Sequence, residues 1–223
     1  MLDGTDTSKT KVAAIFCPPQ KGPPMSIDEE KGYVHCWSFD FTPSPSVAAF
    51  DMDHTVIKPQ GGRVYPRDEN DWMLMNESKL KGKLKELIGD LKCCIVLISN
   101  QAALSKDMGK VKALEGKVRR VQQALGVPVA FYASFANVNR YRKPAPGLWE
   151  QLTHDFEQRG IVINKSTSFY CGDAAGRPEG LKLWSGSKRK DFADTDRRSG
   201  LPQLRASSSS APSQRLKARL SLF

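Results

Sequence analysis

Apolar residues along this chain recur with two different periods. Residues 47–51, VAAFD, are wholly apolar up to a closing acid, and residues 93–99, CCIVLIS, form a longer apolar run. Runs of this kind lack the alternation of a half-exposed strand and predict strands buried on both faces of a parallel sheet. VPVAFYAS (127–134) and TSFYCG (167–172) read the same way. YVHCWSFDF (33–41) is a further strand, closed by the turn residues TPSPS. Helical spacing fills the intervals. Leu80, Leu84, Leu87 and Ile88 share one face of a helix over 77–90, and Val111, Leu114, Val118, Val121 and Leu125 share a face over 109–125. A third helix is predicted over 145–160, with Pro near its start and Gly at its end.

Strand and helix alternate, so the simplest architecture is a doubly wound α/β parallel sheet. Residues 1–30, which contain CPPQKGPP, read as a flexible lead-in, and residues 31–198 as the folded body. Residues 199–223 are Ser- and Arg-rich with little periodicity, and are expected to be a disordered basic tail. That tail lets the total charge mislead. The 223-residue chain carries +10, yet the segment from Arg197 onward supplies six basic residues and no acid. The remainder is only mildly basic, so any polyanionic partner must be argued from local clusters. No apolar stretch approaches a membrane span, and no signal or transit pattern opens the chain. The cysteines (Cys17, Cys36, Cys93, Cys94 and Cys171) form no C-x-x-C pair and read as reduced thiols, mostly in the core. His35, His54 and His154 show no metal-ligand spacing.

The polar residues gain meaning from the strand ends. Each apolar strand stops at a chemically useful group: Asp51, then Ser99 and Asn100, then Asp173. In open α/β sheets the ligand crevice lies beyond the carboxyl ends of the strands. If the chain stays extended, Asp51 and Asp53 point to the same side with Met52 opposite. Asp173 adds a third carboxylate, and such acids repel unless a cation joins them. Mg²⁺ with several waters suits that donor set beside a phosphate. Lys143, in NRYRKPAPG, adds a point charge for a phosphate oxygen, and the Ser99 hydroxyl adds a donor. Together these are the parts of a phosphoryl-transfer site. One carboxylate attacks phosphorus while the other protonates the leaving oxygen and then activates water. Taken alone, D-x-D-x-T is a weak signal, Ser99 could cap a helix, and KRK at 188–190 could be a solvated face. Trp37, Trp72, Trp149 and Trp184 read as packing residues, with Trp72 the candidate for base stacking.

DMDHT, SNQ, RKP and GDAAGR occur in the order of the motifs of haloacid dehalogenase-like phosphatases. The wider set, AAFDMDHTVIK, GGRVYP, DW, ISNQ, NRYRKPAPGLWE and YCGDAAGRP, resembles the DNA 3′-phosphatase domains of polynucleotide kinase 3′-phosphatases over about residues 33–198. The resemblance implies a haloacid dehalogenase-like Rossmannoid fold and removal of 3′-phosphates from DNA ends in nuclear strand-break repair. It implies Asp51 as nucleophile, Asp53 as general acid/base and Thr55 as a supporting hydroxyl. Ser99, Asn100 and Lys143 would hold the phosphate, and Arg142 and Arg177 would meet the DNA strand. Mg²⁺ would sit on Asp51, Asp173 and the carbonyl of Asp53. A monomer is expected.

Two departures stand out. His54 occupies a position where that family usually has Gly. After DFADTDR, at Asp194 and Asp196, the chain leaves the family pattern, which predicts an incomplete C-terminal edge to the sheet and lower stability than a full-length relative. No kinase is expected in this chain. The Gly-Lys pairs at 82, 109 and 116 are followed by Leu, Val and Val, so none forms a phosphate-cradling loop. Two other readings share these residues: a small-molecule phosphomonoesterase, and a non-catalytic DNA-end binder.

Overall fold

The computed structural model describes residues 23–63 and 65–172. Its centre is a six-stranded sheet containing β1 (Ser26–Asp28), β2 (Tyr33–Trp37), β3 (Ser46–Phe50), β6 (Cys93–Asn100), β7 (Val129–Ser134) and β8 (Phe169–Cys171). A separate two-stranded hairpin, β4 (Ile57–Lys58) with β5 (Met73–Leu74), follows β3. The helices are α1 (Glu77–Gly89), α2 (Val111–Leu125) and α3 (Gly147–Glu157), and two short 3-10 turns, Ala102–Lys106 and Met108–Lys110, lead into α2.

The strand order is β1-β2-β7-β6-β3-β8. β7, β6, β3 and β8 run parallel, and their unbroken apolar runs match burial on both faces. β2 adds antiparallel to β7, and β1 antiparallel to β2. The sheet is therefore mostly parallel with an antiparallel edge, where the sequence predicted a parallel one. Hydrophobic periodicity does not encode strand direction, so this edge could not be read from it. The fold also begins earlier than expected. β1 and the buried Met25 lie inside the segment read as a flexible lead-in.

Alternate residues of each strand feed two apolar layers. Ala48, Phe50, Ile95, Leu97, Val129 and Phe131 pack with α1 and α2, through Leu84, Leu87, Val118, Val121 and Leu125. Val47, Ala49, Val96, Ile98, Ala130 and Tyr132 pack on the other face with Leu148, Trp149, Leu152 and Phe156 of α3. This is the doubly wound arrangement predicted from the alternation of elements. Gly126 closes α2 in the left-handed region at φ 66°, where its N–H reaches the carbonyls of Gln122 and Gln123. The buried Tyr132 hydroxyl in the second layer is satisfied: it donates to Asp155 at 2.7 Å and accepts from the Trp37 indole at 3.0 Å. Trp149 is buried and Trp37 and Trp72 pack partly against the core, whereas Trp184, KRK at 188–190 and the tail lie outside the described residues.

Cys36, Cys93 and Cys94 are buried free thiols. Burial pushes Cys36 up to about 12, and Cys93 and Cys94 up to about 11. Thiolate is the reactive form, so these three are expected to resist iodoacetamide in the native protein at about pH 8 and to react fully in guanidinium. Peptide mapping by mass spectrometry reads this directly, and rapid native labelling of Cys94 would contradict the packing.

Candidate active site

Asp51 follows directly on β3, and its N–H donates to the Cys171 carbonyl of β8 at 2.9 Å. The chain then turns instead of continuing extended. Met52 is fully buried in the α1/α2 layer, and its carbonyl accepts from both Val56 and Ile57 N–H at 3.0 Å. His54 takes the left-handed conformation at φ 62°, and its N–H donates to Ile57 O at 2.7 Å. Positive φ costs an L residue about 1 kcal/mol, least for Gly, which gives the physical reason for glycine at this position in the resembled family.

The turn separates the surroundings of the two acids. Asp51 Oδ1 accepts from its neighbour's Met52 N–H at 2.8 Å and pairs with Lys143 Nζ at 3.0 Å. The two side chains are 15% and 6% exposed, so the pair is largely desolvated. Lys143 Nζ also donates to the Tyr170 hydroxyl at 2.8 Å. Tyr170 belongs to the α3 layer. Asp53 turns to the opposite layer, where its Oδ1 meets Lys117 Nζ of α2 at 3.3 Å. Its Oδ2 accepts from Gln101 Nε2 at 2.7 Å and from the Ser99 hydroxyl at 3.4 Å. Gln101 Nε2 donates in addition to Ser99 Oγ at 2.9 Å. The extended-chain expectation for Asp51 and Asp53 therefore gives way to a turn that sends the two carboxylates to lysines of different layers.

Asn100 shapes the site through the backbone. Its Oδ1 accepts the Lys143 N–H at 3.0 Å, and its Nδ2 donates to the Lys143 carbonyl at 3.1 Å. That two-point clamp joins the end of β6 to the loop before α3 and fixes where the lysine side chain starts. Gly147 holds the other side of the loop: a Cβ there would lie 2.5 Å from the Arg140 carbonyl oxygen. The Arg142 guanidinium donates to the Ala136 carbonyl at 3.4 Å. Thr55 is half-buried within the turn after Asp53. The loop from β4 to β5 is organised by Asp71, which accepts the N–H groups of Gln60 and Arg67 at 3.1 and 2.9 Å. These backbone donations, Arg67 foremost, hold the Asp71 carboxyl below its usual range.

The structure thus brings Asp51, Asp53, Ser99, Asn100 and Lys143 to one rim. Asp173 and Arg177 lie outside the described residues. Lys117, Gln101 and Tyr170 were not identified from sequence. Lys117 did carry a signal, since a lysine at 117 falls between Leu114 and Val118 on the apolar face of α2. Among the described residues no cluster of three or more His, Cys, Asp or Glu side chains gathers that could hold a metal ion. No helix among them is long and apolar enough to cross a membrane.

The family model for polynucleotide kinase 3 phosphatase matches residues 46–201. The chain is 35% identical over 130 residues to a bifunctional polynucleotide phosphatase/kinase of Schizosaccharomyces pombe, an overlap covering 58% of this chain and 30% of that protein. It is 28% identical over 222 residues to a polynucleotide 3′-phosphatase of Saccharomyces cerevisiae, covering 78% of this chain and 84% of that one. Among solved structures, a protein of Mesorhizobium loti described as a HAD-like phosphatase superposes with a TM-score of 0.54 at 18% identity, covering 81% and 79% of the two chains. That likeness carries the fold alone.

Asn100→Ala removes both hydrogen bonds of the clamp and is expected to cost about 1–3 kcal/mol in urea unfolding, with a larger proportional loss of any activity that needs Lys143. Gly147→Ala is expected to cost a similar ~1–3 kcal/mol, because the new methyl meets backbone that cannot step aside. An unchanged denaturation midpoint in either variant contradicts the assigned contacts.

Proposed function

The chain belongs to the polynucleotide kinase 3 phosphatase family, and we propose that it is a phosphomonoesterase that removes the 3′-phosphate from DNA ends through an aspartyl-phosphate on Asp51. The observation that carries this reading is the desolvated Asp51–Lys143 pair at the end of a parallel strand, with a second carboxylate two residues on. Lys143 Nζ and the Met52 N–H both hold Asp51 Oδ1, which orients the carboxylate at the strand end.

Attack forms the Asp51–phosphorus bond and breaks the bond from phosphorus to the 3′-oxygen. Asp53 supplies the proton that turns the departing oxygen into a hydroxyl. A water then attacks phosphorus, its proton passes to Asp53, and the Asp51 oxygen is released with inorganic phosphate. Lys143 neutralises a phosphoryl oxygen throughout, at a position fixed by Asn100 and Tyr170. The Asp51 carboxylate and the Asp53 carbonyl are hard oxygen donors at the end of one strand, a set that fits Mg²⁺, and Asp173 is assigned as the third ligand. When bound, Mg²⁺ supplies further neutralisation of the transferred group. Arg142 and Arg177 are assigned to the DNA strand, Thr55 to support of the turn, and the protein is assigned to nuclear DNA as a monomer.

The test offers a 3′-phosphorylated oligonucleotide and a panel of small phosphomonoesters, with Mg²⁺ or EDTA. Wild type is expected to release phosphate from the oligonucleotide in preference to the panel and to lose that activity in EDTA. Asp51→Asn is expected to fall by ~10³-fold or more. Release from small esters alone, or binding of the oligonucleotide without turnover, overturns the reading.

A further inference from the structure

Lys117 sits where a lysine is costly. It projects from the apolar face of α2 among Leu114, Val118 and Val121, and its side chain is 10% exposed. Burying an ammonium costs several kcal/mol unless a partner compensates it, and isosteric apolar residues often serve stability as well or better. Its partner is the Asp53 carboxylate, which is 38% exposed and would remain hydrated without it. Stability alone therefore gives no reason for this lysine.

The geometry around Asp53 gives one. The turn after β3 fixes the Asp53 backbone through its bridge to Ile57 but leaves χ1 and χ2 to be set. Three side-chain donors set them. Lys117 holds Oδ1, while Gln101 and Ser99 hold Oδ2, so both oxygens and the plane of the carboxylate are fixed. All three donors come from β6, its following residue and α2, none from Asp53's own segment. α2 can reach because the chain leaves β6 at the catalytic rim and starts the helix within two short turns of it. The Gln101 backbone is itself tied by donation to Ser134 O at 2.7 Å, the end of β7.

We propose that Lys117, with Gln101, is a positioning residue that aims the Asp53 carboxyl at the leaving oxygen, and thereby sets which phosphate esters the enzyme can cleave. The inference rests on the phosphatase reading above. An alkyl leaving group such as a deoxyribose 3′-oxygen is a poor one. It needs its proton delivered as the phosphorus–oxygen bond breaks, and delivery requires the acid within hydrogen-bond reach. A nitrophenolate leaves without that help. Misaiming Asp53 slows hydrolysis of the shared aspartyl-phosphate for every ester, but slows its formation from alkyl esters far more than from aryl ones, whereas general damage to the fold or to phosphate binding slows formation from both.

The experiment measures kcat and KM for the 3′-phosphorylated oligonucleotide and for p-nitrophenyl phosphate with Mg²⁺, in wild type, Lys117→Met, Gln101→Leu and Asp53→Asn, alone and combined. Lys117→Met is expected to lower kcat/KM, which reports the steps up to departure of the leaving group, by ~10–100-fold on the oligonucleotide and by less than about threefold on p-nitrophenyl phosphate, while slowing of the shared hydrolysis step shows in kcat of both. Gln101→Leu is expected to act in the same direction. In the Asp53→Asn background, Lys117→Met is expected to cost nothing further on the oligonucleotide. Met matches the lysine stem, so the thermal midpoint is expected to hold or rise, and kcat/KM for p-nitrophenyl phosphate reports folding independently. Equal losses of kcat/KM on both substrates, a rise in KM on the oligonucleotide without a fall in kcat, no loss at all, or additive effects with Asp53→Asn each overturn the inference. A wild type that cleaves neither substrate instead sinks the phosphatase reading on which it stands.

Discussion

Two carboxylates two residues apart, each held by a lysine from a different layer of the fold, are the constraint on which the rest of this structure depends. Asp51 is met by Lys143 from the loop before α3, and Asp53 by Lys117 from α2. Removing one partner from a desolvated pair such as Asp51–Lys143 typically costs 3–5 kcal/mol, because a charge is left stranded. Neither pair forms unless its own layer has docked. The site is complete only when the sheet is covered on both faces, so the apolar clusters under α1/α2 and under α3 are conditions for the chemistry as well as for stability.

How far the sequence revealed this follows from what each signal encodes. β3, β6, β7 and β8 were legible because burial on both faces leaves unbroken apolar runs, and α1, α2 and α3 because one face of each is apolar. Asp51, Ser99 and Lys143 were legible as a group through the rule that ligands gather at the carboxyl ends of parallel strands. β1, β4 and β5 were not: SID and IK mix apolar with polar residues and ML is only two residues long, so none leaves an apolar run or a period. The setting of Asp53 was hidden for another reason. Period-two alternation holds only while the chain is extended, and the chain bends at Met52, between the two acids, on its way into the left-handed turn at His54. Lys117 was passed over because attention to the apolar positions of α2 treats a lysine among them as noise, when a costly residue on a buried face is itself the signal.

The parts of the site differ in how they are held. Lys143 is fixed at its root by the Asn100 clamp and at its tip by Asp51 and the Tyr170 hydroxyl. Asp53 is fixed at both carboxylate oxygens by groups from β6 and α2. Donors fixed before substrate arrives need not reorganise during the reaction, and in a site walled by apolar layers each is worth more than in water.

The choice of donors around Asp53 follows from its two tasks. In the proposed reaction it delivers a proton in the first step and accepts one in the second, so its charge differs between them. A carboxyl held by lysine alone would be gripped firmly when ionised and loosely when neutral. Gln101 and Ser99 are neutral donors whose hydrogen bonds depend far less on that charge. With an ammonium on one oxygen and two neutral donors on the other, the carboxyl keeps one orientation through both steps. That constancy is what a single group acting first as acid and then as base requires.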